Sequence, residues 1–425
     1  MRTLCSGALL LTLAMTAAAQ PDVFAPLAER YLRLVLAVGQ HDADFVDAYY
    51  GPEAWKPSAT SVPAPRELEA QAEALAAALE ATPVPADPLP RLRREYLMAQ
   101  TRATRTRLAM LAGAKLTFDE ESKALYDAVA PTRDEGYYDA LLAKLDRQVP
   151  GTGPLAGRVE AFKQRFVIPR DRLDAVFRAA VDACRAQTTA YLTLPPGEQF
   201  TIEYVTGKSW SGYNWYQGHY RSLIQVNTDL PIFIDRALDL ACHEGYPGHH
   251  VYNVLLEHHL VRGRGWQEFT VYPLFSPQSL IAEGTANYGI DVAFPAAERL
   301  ALERRTLFPL AGLDPAEAGR YYDVLTALEG LSYAGNEAAR RYLDGRISAT
   351  QAADWLVTYT LTSRARAEQR VRFIDQYRSY VINYNLGKDL VREHVERLGG
   401  TADKPAERWR LFGDLLSSPR LPSGL

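Results

Sequence analysis

Cysteine is scarce, with three residues in 425. That excludes a fold stapled by disulfides. A basic excess is missing too: Lys and Arg total 47 against 51 Asp and Glu, for a net charge of −4. A surface built to neutralise phosphates carries a positive balance, so no nucleic-acid partner is expected. After the N-terminus no stretch reaches the length of about 18 apolar residues that a membrane span needs, so none is expected in the mature chain. Glycine and proline are ordinary, and 47% of residues are hydrophobic against 23% charged. Collagen-like, disordered and coiled-coil chains do not have that balance. What remains is a globular chain of one large domain or two to three ordinary ones.

The first 19 residues, MRTLCSGALLLTLAMTAAA, read as a signal peptide. Arg2 supplies the charge, Leu9 to Met15 lies in a short apolar run, and Ala17-Ala18-Ala19 is a cleavage site that leaves Gln20 first. The expected location is periplasmic or secreted. Export would let Cys184 and Cys242 pair, while two buried free thiols fit the sequence as well.

The rest predicts a mainly α fold. Residues 20–195 form an N-terminal helical region, with helices over Arg66–Glu80, Arg91–Lys115, Asp119–Val129 and Arg170–Thr193. Residues 196–425 form the region that carries the chemistry. It opens with Thr-, Tyr-, Val- and Trp-rich segments broken by glycines, which read as a small central antiparallel sheet. Its strands are Phe200–Thr206, Trp210–Gln217 and Tyr220–Thr228, in a meander. Helices follow over Asp314–Tyr342, Ala349–Thr360, Arg364–Tyr380 and Lys388–Leu398. No βαβ alternation occurs, which excludes doubly wound folds.

Histidine carries the chemical signal. Five of the eight fall between His243 and His259. Three sit in His243-Glu244-Gly245-Tyr246-Pro247-Gly248-His249-His250, a candidate metal site because neutral imidazole is a common metal ligand. The zinc-protease pattern H-E-x-x-H needs its second histidine at position 247, where Pro247 stands instead. A regular helix puts His243 and His250 about 10 Å apart along its axis, too far for one ion with bonds of about 2 Å. Pro247 and Gly248 break that regularity. Two inserted residues carry His249 into the missing position, with His250 as the alternative. Glu244, beside the first histidine, stands where a general base is needed. A third ligand is expected from Glu283, a carboxylate in the otherwise apolar Ser279–Tyr288 run, where burial would be costly without a partner. Asp291 is the reserve, and Asn287 could orient a ligand. His258 and His259 read as surface residues.

The tract HEGYPGHH, followed about thirty residues on by EGTANYG, resembles the bacterial DUF885 family, whose members carry HExxPGHH and a later EGWAxY tract. Asn227-Thr228-Asp229-Leu230-Pro231 resembles the family's preceding segment. The family is similar to divergent Glu-ligand zincin metallopeptidases. The resemblance implies a large helical zincin-like architecture, zinc at His243, His249 and Glu283, and Glu244 as base. Thr285 stands where the family has Trp. No D-T-G-x-H tract follows, and Tyr380–Gly387 keeps only a Tyr and the Gly of a PGQAxxYKxG tract.

The expected activity is hydrolysis of a peptide or small amide by water activated at a single zinc or other divalent ion. Tyr384, with Tyr380 behind it, is the candidate oxyanion donor. Tyr220–Thr228, read as an edge strand, could pair with an extended peptide. The alternatives are a hydrolase of a non-peptide amide or ester, and a non-catalytic metal- or peptide-binding protein. The sequence assigns no oligomeric state.

Overall fold

Alanine, leucine and arginine favour helix, and apolar residues three and four apart give each helix a face to bury. The computed structural model describes residues 22–58 and 62–425, and they are mainly α. The signal-peptide reading falls on residues outside this description.

Helices Ala25–Val38, Pro65–Ala81 and Pro88–Leu111 pack together at the N-terminal end. Thr117 starts the next, Phe118–Tyr126. Its hydroxyl accepts from the Glu120 amide at 3.3 Å, and the Glu120 carboxylate accepts from the Thr117 amide at 2.9 Å. Both amides would otherwise lack partners. Leu173–Tyr191 stops shortly before Pro195-Pro196-Gly197, as proline dictates. The single helix expected over Asp314–Tyr342 is instead two, Ala318–Glu329 and Ala334–Leu343. Gly330 sits at the break, where glycine weakens a helix interior. Ile382–Arg397 begins six residues before the expected Lys388, which brings Tyr384 and Gly387 onto it. Among the described residues no helix is long and apolar enough to cross a membrane.

Strands β1 (Val46–Tyr49), β2 (Gln199–Val205), β3 (Gly212–Gly218), β4 (Arg221–Asn227) and β5 (Val271–Pro273) form two sheets. β1 and β5 pair antiparallel, Tyr49 opposite Val271, and tie the N-terminal helices to the residues just before Glu283. The other sheet has the order β2-β4-β3. β3 and β4 form the expected antiparallel hairpin, with Asn214 opposite Ile224, but β2 joins β4 in parallel, with Ile202 also opposite Ile224. The meander is therefore corrected. The loop after β2 crosses the end of β4, where Asn227 Nδ2 donates to the Lys208 and Trp210 carbonyls and Asp229 accepts from the Gly207 amide at 2.8 Å. β4 is thus central and offers no edge to a peptide, contrary to the expectation for Tyr220–Thr228.

One contiguous apolar core runs from Phe24 to Leu416 and includes residues of both regions. Helices Pro277–Ala293 and Ile382–Arg397 meet within it at two glycines. A Cβ on Gly284 would lie 2.5 Å from the Gly387 carbonyl oxygen, and one on Gly387 would lie 2.8 Å from the Leu280 oxygen. Gly284→Ala is expected to cost about 1–3 kcal/mol by overpacking. It should also weaken metal binding, because Glu283 is the adjacent residue. Chemical denaturation with a parallel zinc titration reads both effects.

Candidate metal centre

The histidine tract begins as a regular helix, Ile234–Leu240, and loosens into a π-turn over Ala241–Gly245. Proline has no amide to donate, so Pro247 ends the helical ladder. The Tyr246 amide reaches back to the Ala241 oxygen at 3.2 Å, and the Gly248 amide to the Cys242 oxygen at 2.9 Å. Gly248 is required there, since a Cβ would lie 1.8 Å from the His243 carbonyl oxygen. A new helix, His249–Leu256, starts at once. On the preceding turn Cys242 is bonded to Cys184, fixing the turn to helix Leu173–Tyr191.

The break folds His249 back over His243, with their Nε2 atoms 3.1 Å apart. From helix Pro277–Ala293, Glu283 brings Oε2 to 3.3 Å from His243 Nε2 and Oε1 to 3.7 Å from His249 Nε2. The Tyr380 hydroxyl donates to Oε1 at 2.8 Å. Oε2 is buried and, apart from its 3.3 Å ion-pair contact with His243, makes no hydrogen bond among the described residues. A buried carboxylate oxygen in that state costs free energy unless something absent from the polypeptide completes it.

Electrostatics at the site oppose one another. Burial pushes His249 down to about 4. Burial also opposes charge on His243, but Glu283 and Glu244 outweigh it and raise that group. Glu283 is driven up by burial and pulled lower overall by the two imidazoles and Tyr380. Glu244, 4% exposed, is pushed up to about 7 by burial, with Glu283 adding to the rise.

His243, Glu244 and His249 offer ligand atoms that all lie within 4.8 Å of one another. Glu283 is the other candidate third donor: its two oxygens lie 3.3 and 3.7 Å from the two imidazoles, and it lines the same cavity as Glu244. The Glu244 carboxylate lies beside Gly212, where a Cβ would come within 2.7 Å of Oε1. Asn214 Nδ2 holds the Glu244 carbonyl at 2.7 Å. Both residues are on β3, so the edge strand positions Glu244.

The other expected residues separate clearly. His250 is fully buried away from the centre, between Ser222 Oγ at 2.9 Å and Glu198 Oε2 at 3.0 Å. Asp291 forms an ion pair with Lys388 at 2.9 Å and does not join the donors. Asn287 Nδ2 donates to the Glu283 carbonyl at 2.9 Å. Tyr380 is committed to Glu283. Tyr384 lines the cavity, and its hydroxyl has no hydrogen-bond partner among the described residues. His258 bonds to Tyr220 near the surface.

His243, Glu244, His249, Glu283, Tyr380 and Tyr384 share a cavity of about 570 Å³. Sequence reasoning missed several residues of its wall. Asp47 of β1 accepts from the Tyr213 hydroxyl and is pushed up to about 7 by burial, against the pull of that hydrogen bond. Gly212, Asn214, Arg366 and Arg370 also line it. The spacing of Arg366, Arg370, Phe373 and Tyr377 on one helix was the available signal.

No family model and no curated protein matches the sequence. Solved structures do match by fold. The crystal structure of a putative lipoprotein from Colwellia psychrerythraea aligns at TM-score 0.50 and 16% identity, covering 92% of this chain and 73% of that one. A second, from Shewanella oneidensis and of unknown function, aligns at 0.41 and 13% identity over 83% and 72%. The first likeness shows that this fold recurs in another protein, and at that identity it shows the fold alone.

Proposed function

We propose that this chain is an exported zinc-dependent amide hydrolase, a metallopeptidase of the Glu-ligand type that the DUF885 resemblance implies. The observation that carries the reading is the convergence of two imidazoles and a carboxylate: His243 and His249 Nε2 are 3.1 Å apart, Glu283 Oε2 is 3.3 Å from the first and Oε1 3.7 Å from the second, and Oε2 makes no hydrogen bond among the described residues. Ligands of a tetrahedral ion with bonds of about 2.0–2.1 Å stand about 3.3 Å apart. Two imidazoles and a carboxylate, with a cavity beside them, make the donor set of an open catalytic site rather than a closed structural one. Export is supported by the N-terminal sequence and by the Cys184–Cys242 bond, which belongs to an oxidising compartment.

His243, His249 and Glu283 would hold the zinc ion, and the chemistry it would supply there is Lewis acidity toward a water and a carbonyl oxygen. The protein's own groups do the rest. The Glu244 carboxylate accepts a proton from the attacking water and passes it to the amine as the C–N bond breaks. The free Tyr384 hydroxyl donates to the carbonyl oxygen as negative charge grows there. Tyr380 fixes the orientation of Glu283, and Asn214 that of the Glu244 backbone.

The test is metal analysis of the purified mature chain together with cleavage of a mixed peptide library read by mass spectrometry. One zinc per chain is expected, with cleavage abolished by a chelator and restored by zinc. A metal-free chain, or cleavage indifferent to chelation, overturns the reading.

A further inference from the structure

Helix Arg364–Tyr377 turns Arg366, Arg370, Phe373 and Tyr377 toward the cavity, at steps of four, three and four residues along one face. Arg370 lies 4.7 Å from the Phe373 ring centre and 5.6 Å from that of Tyr384. Among the described residues no carboxylate forms an ion pair with it; the titratable groups near it are Tyr384, an uncharged hydroxyl, and Glu283. Arg366 donates to the Pro231 carbonyl at 2.8 Å and lies over Phe233; Glu160 and Asp235 are the acids near it, but neither forms an ion pair with it among the described residues.

Several of the protein's other enclosed arginines are paired with acids, although buried Arg408 holds only neutral partners, the Tyr288 hydroxyl and the Asp291 carbonyl. Arg93 has Glu268, Arg299 has Asp239 at 2.7 Å, and Arg340 has Glu337 and Asp119. Arg236, also on the cavity wall, is paired with Asp239 at 3.2 Å. Removing a guanidinium from water without an anion is costly, and the cost is met when a ligand brings the anion. The planar fork of arginine matches a carboxylate with two parallel hydrogen bonds. The cavity volume is that of a small-ligand site, enough for a short peptide. Arg370 abuts Tyr384, so an anion held there sits close to the bond being cleaved.

We propose that Arg370, backed by Arg366 one turn earlier, binds the free C-terminal carboxylate of a short peptide, so that the chain trims peptides from that end. This rests on the hydrolase reading, and it adds the substrate class.

The test uses N-acetylated tripeptides that share one scissile bond: a free acid, its C-terminal amide, and an amide with Glu as its last residue. The third separates a side-chain carboxylate from a chain end. Binding is measured by calorimetry on zinc-loaded Glu244→Gln protein, and cleavage on the unmodified chain. The free acid should bind about 10- to 100-fold tighter than either amide, the scale of one charge-assisted pair. Arg370→Gln should erase the difference and Arg370→Lys restore part of it. Equal binding of acid and amide overturns the proposal, as does a preference that survives Arg370→Gln, or equal preference for the Glu amide. Should Arg370→Gln not fold, the acid–amide comparison on Glu244→Gln protein decides. Cleavage of acid and amide alike would keep the hydrolase and discard the carboxylate site. An Arg370-dependent acid preference without any cleavage would do the reverse.

Discussion

Glu244→Gln is expected to slow peptide hydrolysis by about 10²- to 10⁴-fold, the usual share of a general base, and to leave zinc in place. The two effects separate because Glu244 and Glu283 hold different stations. Glu283 spans the two imidazoles at 3.3 and 3.7 Å. Glu244 lies against Gly212 and faces the cavity. Glutamine keeps the shape, so the Asn214 bond to the backbone carbonyl survives. The folded state should lose little, because burial already favours the uncharged form of Glu244. The measurement is kcat on a peptide found in the library, with metal content and thermal midpoint on the same preparation. Activity within tenfold of the parent removes Glu244 from the base role. Loss of zinc would make it a ligand instead.

How much of this was legible in the sequence depends on the reach of each interaction. Helices are local, so periodicity located Leu173–Tyr191 and Ala349–Tyr359 to within a few residues. The histidine break was legible for the same reason: Pro247 and Gly248 lie between His243 and His249, and counting residues across them pointed to His249 as the imidazole that meets His243. The order of the sheet was not local. It is set by Asn227 and Asp229 holding the crossing loop, and nothing within β2 or β3 encodes that. Asp47 was invisible because β1 acquires its place from β5, more than two hundred residues later in the chain. Tyr380 and Tyr384 are one turn apart and indistinguishable by pattern, yet one holds Glu283 and the other keeps a free hydroxyl. Arg370 escaped notice because a cationic helix face ordinarily meets solvent, and only the cavity shows that this one is enclosed.

The adjacent histidines give the second large contrast. His249→Ala should lower zinc affinity by roughly three orders of magnitude, since it removes one of three protein donors from a site whose total binding energy in zinc proteins is about 10–16 kcal/mol. Its effect on the metal-free fold should be small, because in the bare protein His249 is an uncharged ring pushed down to about 4, and its ring nitrogen meets only His243 and Glu283. His250→Ala should do the opposite. Its ring joins β4 to the Glu198 carboxylate, which also receives the Tyr246 hydroxyl at 2.6 Å and Arg185 at 2.7 Å. Removing it leaves Ser222 and part of Glu198 unpaired in the interior, a loss of about 1–3 kcal/mol, while the zinc donors keep their positions. Competition titration with a zinc-binding dye reads the affinity, and urea unfolding of the metal-free variants reads the stability. If His250→Ala is the variant that releases zinc, the proposed donor set is wrong. The break at Pro247 would then deliver the second imidazole from the other face of the helix His249–Leu256.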